Sequence, residues 1–185
     1  GGAMAVAEAA RNVVCAGARP VAITNCLNFG SPDDPVVYYQ LAEVIDGIAE
    51  ACRALEIPVT GGNVSLYNEA DGVQIFPTPV IGMLGVLDDI DSRIGIAFAN
   101  DGDLIAVIGD VHGSLDGSEY LKVVHHTIKG RPEIDLSREL AVQTTCASAI
   151  QAGLLASAHD ISNGGFAVAL AESCFAGNIG AAVEP

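Results

Sequence analysis

The stretch TGGNVSLYNEADGVQIFPTPVIGMLGVLDD, residues 60–89, decides how the chain is read. It opens on the glycine pair Gly61 and Gly62, passes the turn signal NEADG, and ends in the long apolar run TPVIGMLGVL. NEADG between NVSLY and VQIF predicts a hairpin, because Asp-Gly accepts the positive φ angles that tight hairpin turns require. TPVIGMLGVL predicts a further strand, thinned by glycines so that another backbone can approach. The glycine pair has two readings. One is a turn or β-bulge. The other is backbone left bare so that phosphates can reach main-chain N–H groups, with Asn63 and Ser65 adding neutral oxygens suited to Mg2+ or to a hydroxyl. The segment has neither the spacing and lysine of a P-loop nor a dinucleotide fingerprint, so spacing alone leaves both readings open.

Upstream, residues 3–16 predict a short helix with Val6, Ala10, Val13 and Val14 on one face, stopped by GARP. VAITNCLNF then predicts a buried strand running into the turn-rich GSPDDP. The clearest element follows: Asp34 is an N-cap with Pro35 at the first helical position, and Val37, Leu41, Val44, Ile45, Ile48, Cys52 and Leu55 recur at helical spacing. Downstream, polar and turn residues gather in DDIDSRIGIAFANDGD, which places a linker at residues 91–102 between segments 1–90 and 103–185. The second segment predicts a strand in DLIAVIGD, helices over about 118–129 and 135–153, a short strand in LLASAHD, and a helix opening at Gly164 and Gly165. A strand is also expected to begin in the closing IGAAVEP, as though the domain continued. Strands and helices alternate loosely around a hairpin, which makes the fold class α+β, or mixed α/β.

Half of the 185 residues are hydrophobic, enough for one moderate core or two small ones. With 23 acidic against 8 basic side chains, the net charge of -15 argues against nucleic acid or an anionic membrane as partner. It leaves room for a phosphorylated small molecule, provided that backbone N–H groups, helix N-termini and a divalent cation do the work of absent lysines and arginines. No apolar run approaches the roughly 20 residues of a membrane span, and no basic lead precedes the first helix, so a cytoplasmic location is expected. Five dispersed cysteines without a C-x-x-C read as core thiols, Cys26 being the one with a position that could suit a nucleophile.

A second segment, SAHDISNGGFAVALAE, places His159 and Asp160 just before a glycine pair and an amphipathic helix. Such a pair can bind metal or phosphate, or it can cap and orient the loop. The adjacent His125 and His126 point away from each other on a helix and do not make one metal site.

The segments AVAEAARNVVCAGARPVAITNCLNFGSPDDP, PVTGGNVSLYNE, PTPVIGMLGVLDD, LDGSEYL and SAHDISNGGFAVALAE resemble, in this order, the second half of the synthetase subunit in the phosphoribosylformylglycinamidine synthase family. TNCLNFG and GGNVSLYNE are specific to that family; the last segment is shared with the wider aminoimidazole ribonucleotide synthetase superfamily. The resemblance implies an ATP- and Mg2+-dependent ligation in purine biosynthesis, in which formylglycinamide ribonucleotide takes up ammonia from a separate glutaminase unit. It implies ATP contacts at Asn25 and Gly62, a Mg2+ ligand at Asn63 and a substrate contact at Ser65. Asn25 stands where the family carries Asp or Asn and would be a neutral contact. No catalytic residue carries over, since the family's general-base histidine belongs to the first half; His159 and Asp160 stay candidates for a phosphate or metal site. The implied architecture is an N-terminal part that pairs through its sheet with a homologous domain, followed by a C-terminal α/β/α layered part. Implied partners are the first half of the same synthetase, the glutaminase and a small accessory subunit. A fragment of this kind is expected to be inactive alone. The competing readings are a nucleotide-binding structural half without turnover, or another synthetase or kinase of the superfamily.

Overall fold

The computed structural model describes residues 1–110 and 113–183. Helix α1 (Gly2–Cys15) leads into strand β1 (Arg19–Asn28), the long helix α2 (Pro35–Ala54) and strand β2 (Val59–Ser65). A two-residue ladder, β3 (Glu69–Ala70) with β4 (Val73–Gln74), precedes strand β5 (Thr78–Val86). Its turn residues Asp71 and Gly72 both have positive φ, as the Asp-Gly signal demands. A single 3₁₀ turn, Ile90–Ser92, and helices α3 (Glu119–His125), α4 (Leu136–Gln151) and α5 (Gly165–Gly177) complete the described elements. The α+β class read from the sequence holds.

The main sheet has the order β2-β1-β5, with β1 parallel to β2 and antiparallel to β5. Parallel pairing needs a crossover, and α2 supplies it. Asp34 starts that helix by accepting from the Val36 N–H at 2.8 Å, and Pro35 occupies the first turn, where its missing N–H costs nothing. Val6 and Ala10 of α1, Val37, Ile48 and Ala51 of α2, and Ile23, Leu27 and Phe29 of the β1 region form the principal core. Phe29 is fully buried, which contributes about 2–3 kcal/mol. Of the apolar stripe read along α2, Val37, Ile48 and Cys52 are buried and Leu41, Val44 and Leu55 half-buried against the core, whereas Ile45 is 45% exposed because it lies off the arc facing α1 and the sheet.

β5 alternates strictly: Ile81 and Met83 pack on the core, whereas Val80, Leu84 and Val86 face outward. One face of the sheet is thus covered by helices and the other is open.

A smaller cluster joins the two halves, with Val14 of α1 against Cys146 and Ile150 of α4, flanked by Ile94 and Leu155. The segment expected to be a linker is tied on both sides: Ile94 donates to the Ala16 carbonyl at 3.4 Å, and Phe98 to that of Ser173 at 3.3 Å.

Two expected strands are not formed. Residues 103–110 are irregular, with Leu104 97% exposed, and LLASAHD contributes only an isolated bridge from Ser157 to Gly95. Apolar periodicity marks a segment able to be a strand, but a strand exists only as a ladder, and among the described residues these runs have no neighbour to pair with beyond that bridge. Likewise 179–183 carries no strand; Glu184 and Pro185 lie outside the described residues.

Candidate functional site

The register of the sheet places the glycine pair. Thr24 faces Gly61 on one side and Gly82 on the other; Cys26 lies between Asn63 and Val80; Asn28 lies between Ser65 and Thr78. Because directly paired residues share a face, these three rows all belong to the open side of the sheet. Asn25 and Gly62 are partners in the same ladder and belong to the opposite side. The four residues expected to contact ligand are therefore neighbours in space but divided: Asn63 and Ser65 on the open face, Asn25 and Gly62 turned toward the helices.

The glycines divide too. Gly62 has φ +153°, and a Cβ there would run into the backbone and side-chain oxygens of Asn25. Its bareness serves the contact between β1 and β2. Gly61 meets nothing within 4 Å, so its bareness is free for something from outside. The register shift between Ile23 and Thr24 sets Thr60 apart as the extra residue, and its hydroxyl bonds the Ile23 carbonyl at 3.2 Å. Both readings of the pair thus have a residue: bulge and close packing at Thr60 and Gly62, open backbone at Gly61.

Asn63 is exposed on an edge strand. Mg2+ keeps most of its shell as water and phosphate oxygens, so one side-chain carbonyl suits it as a contributing ligand, though not as a cage. Among the described residues no group of three or more His, Cys, Asp or Glu is placed to hold a metal ion.

Ser65 is half-buried and donates its hydroxyl to Asn68 Oδ1 at 3.1 Å. Asn68 in turn donates from Nδ2 to the carbonyls of Phe29 and Ser65, both at 2.9 Å. Next to Ser65, Asn28 donates to the Thr78 carbonyl at 3.3 Å and lies 3.4 Å from Cys26 Sγ. Asn28, Asn68, Gln74, Phe76 and Thr78 line an open cavity of about 680 Å3 between the sheet end and the small hairpin. Neither Asn28 nor Asn68 was singled out from the sequence; both lie within segments that carry the family resemblance.

His159 and Asp160 stand elsewhere, against α1. Arg11 reaches across to Glu139 of α4 at 2.9 Å and approaches Asp160 at 3.9 Å; Gln143 adds a bond to Glu139 at 2.9 Å. His159 Nε2 is 3.0 Å from Glu172, and Nδ1 is 3.4 Å from Asp160. Each ring nitrogen thus faces its own carboxylate, an arrangement that orients the imidazole. With two carboxylates on Arg11 and a third, Glu172, on His159, the surroundings suit a cation or a fixed loop better than a phosphate. His159, Asp160 and Glu172, with Asn12, Cys15 and residues 94–96, border a second cavity of about 560 Å3. Cys15 donates a hydrogen bond to Cys146, which pushes the Cys15 thiol up and brings Cys146 down to about 7. None of Arg11, Glu139 and Glu172 was visible as a partner in the sequence, since Arg11 and Glu139 are 128 residues apart.

The AIR synthase related protein, N-terminal domain, matches residues 1–87, and the AIR synthase related protein, C-terminal domain, matches residues 100–185. Phosphoribosylformylglycinamidine synthase subunit PurL of Moorella thermoacetica is 54% identical over 185 residues, all of this chain and 25% of that protein. The protein of the same name from a Synechococcus strain is 55% identical over 186 residues, covering all of this chain and 24% of its own. The chain thus spans about a quarter of the length of these curated relatives. Thermotoga maritima PurL, solved in complex with FGAR, shares the fold over 96% of this chain and 28% of its own, with a TM-score of 0.72 at 21% identity.

Proposed function

The chain belongs to the AIR synthase related protein family, and we propose from that premise that it is one segment of a phosphoribosylformylglycinamidine synthase. In this reading the whole enzyme phosphorylates the formamide oxygen of formylglycinamide ribonucleotide with ATP. Ammonia then forms the new C–N bond as phosphate leaves, giving the amidine, ADP and phosphate. The observation that carries the proposal is the likeness, over every residue of this chain, to proteins bearing that name.

Residues 1–90 supply the ligand contacts and residues 103–185 a second domain, with 91–102 between them. Gly61 leaves backbone open to the nucleotide, Gly62 and Asn25 hold β1 and β2 at the spacing the site needs, Asn63 gives one oxygen to Mg2+, and Ser65 meets the ribonucleotide. The open face of the sheet, with Val80, Leu84 and Val86 outward, suits pairing with the sheet of the synthetase's other half. A glutaminase unit supplies ammonia. The base and much of the substrate pocket belong to that other half, so this chain alone turns nothing over. His159 and Asp160 orient the loop before α5 and hold α1 against it, or accept a cation there. Among the described residues no helix is long and apolar enough to cross a membrane, and the net acidity suits a partner that brings its own cation.

Thermal stabilisation by ATP tests this. At about 100 times its dissociation constant a ligand adds roughly 2.7 kcal/mol, and the shift should require Mg2+ and vanish in Asn63→Ala. An unshifted midpoint here, together with an unchanged response to Asn63→Ala in a full-length synthetase carrying this segment, would reject the site.

A further inference from the structure

Asn68 makes a closed set of bonds at the end of the site strands. Its main-chain N–H donates to the Phe29 carbonyl at 3.1 Å, and its Nδ2 to the carbonyls of Phe29 and Ser65. The Phe29 N–H also donates to the Ser65 carbonyl at 3.0 Å. Two carbonyls can be faced only by the amide nitrogen, so the orientation of this side chain is decided by its partners: Oδ1 must point to Ser65 Oγ. A serine hydroxyl has one proton and two lone pairs. Here the proton goes to Asn68.

We infer that Asn68 is a positioning residue that takes the proton of Ser65, so that Ser65 meets its ligand as a hydrogen-bond acceptor and the ligand group opposite is an O–H or N–H donor, not a phosphate oxygen. The inference rests on the reading of Ser65 as a substrate contact and goes beyond it by setting the polarity of that contact. A phosphate oxygen at Ser65 would find lone pairs facing lone pairs. A ribose hydroxyl or an amide N–H would complete the set. Asn28, paired with Ser65 in the ladder, has its own amide committed to Thr78 and Cys26, so it does not replace the donor that Ser65 lacks.

The test uses a full-length synthetase carrying this segment, with formylglycinamide ribonucleotide as the probe. Ser65→Ala is expected to raise KM about tenfold with kcat within about twofold, the size of one hydrogen bond. Asn68→Ala should raise KM comparably, and the double variant should be no worse than the poorer single one, because the two act as a unit. If Ser65→Ala leaves KM unchanged, the substrate contact itself is wrong and the inference falls with it. If Ser65→Ala raises KM while Asn68→Ala does not, or if the two losses multiply, only the inference falls.

A second measurement needs no change at Asn68 and so survives any folding defect there. Analogues lacking the 2′-hydroxyl, the 3′-hydroxyl or an amide N–H are compared on wild type and on Ser65→Ala. One of them should lose about tenfold on wild type and nothing further on the variant. If every analogue loses equally on both proteins, Ser65 does not accept from the ligand.

Discussion

Gly62 lies opposite Asn25 in the parallel ladder, and its missing side chain leaves room that the oxygens of Asn25 occupy. Its neighbour Gly61 looks into open space. A Gly62→Ala substitution places a methyl against a backbone oxygen at a φ that alanine disfavours, so a loss of about 2–4 kcal/mol is expected. Gly61→Ala should change stability by less than about 1 kcal/mol while weakening any nucleotide that approaches the strand. Urea midpoints and ATP titrations on the two variants separate the roles; equal destabilisation would show that the division between them is wrong.

Asp34 supports two elements at once. Its side chain caps α2 through the Val36 N–H and accepts from Gln74 Nε2 at 3.1 Å. Gln74 also accepts from the Ser31 N–H, which pins the small hairpin to the loop before α2. Asp34→Ala is expected to cost about 1–2 kcal/mol, and hydrogen exchange should quicken both in the first turn of α2 and at residues 69–75. Exchange unchanged at the hairpin would mean that the Gln74 contact holds nothing.

Arg11 is the cation between Glu139 and Asp160, whose side chains are 12% and 5% exposed. Arg11→Met leaves these carboxylates without their counter-charge, and a loss of about 3 kcal/mol is expected. The variant pairing Arg11→Met with Glu139→Gln should recover part of it, since one buried charge is then removed. Calorimetric midpoints decide; a loss below about 1 kcal/mol would place the pair among solvent-screened contacts.

The Cys15–Cys146 pair predicts a pH dependence. Cys146 is lowered from 9.0 to about 7 by accepting the Cys15 hydrogen bond, against the upward push of burial, and Cys15 is raised by donating that bond and by burial. A depressed folded pKa adds stability above the unfolded value and loses it as pH falls toward the folded one, so the Cys146 contribution grows from about pH 7 to 9. Above about pH 9 the unfolded chain releases both thiol protons and the folded chain only one, so stability declines again. Under reducing conditions the urea midpoint should therefore rise over that window in the wild type, and Cys146→Ser should flatten the rise. An identical rise in the variant would assign it to other groups.

The elements built from local chemistry were legible along the chain. Asp34-Pro35 and the following apolar recurrence determine α2, Asp71-Gly72 the hairpin turn, and the alternation of residues 78–86 a half-buried strand, because caps, turns and periodicities act within a few residues. The adjacent glycines with Asn63 and Ser65 are also a local arrangement, and along the chain they left a turn or bulge and an open approach for a ligand as equal readings. Only the tertiary structure decided how that segment is divided: the pairing of Gly62 with Asn25 bridges 37 positions, and a β-ladder's register follows from the twist and packing of the whole sheet. The ion pairs of Arg11 and the bond from Ser65 to Asn68 belong to the same class, being set by where helices cross and strands end. The runs at 103–110 and 154–160 show the converse, since a strand needs a hydrogen-bonded neighbour as well as a pattern.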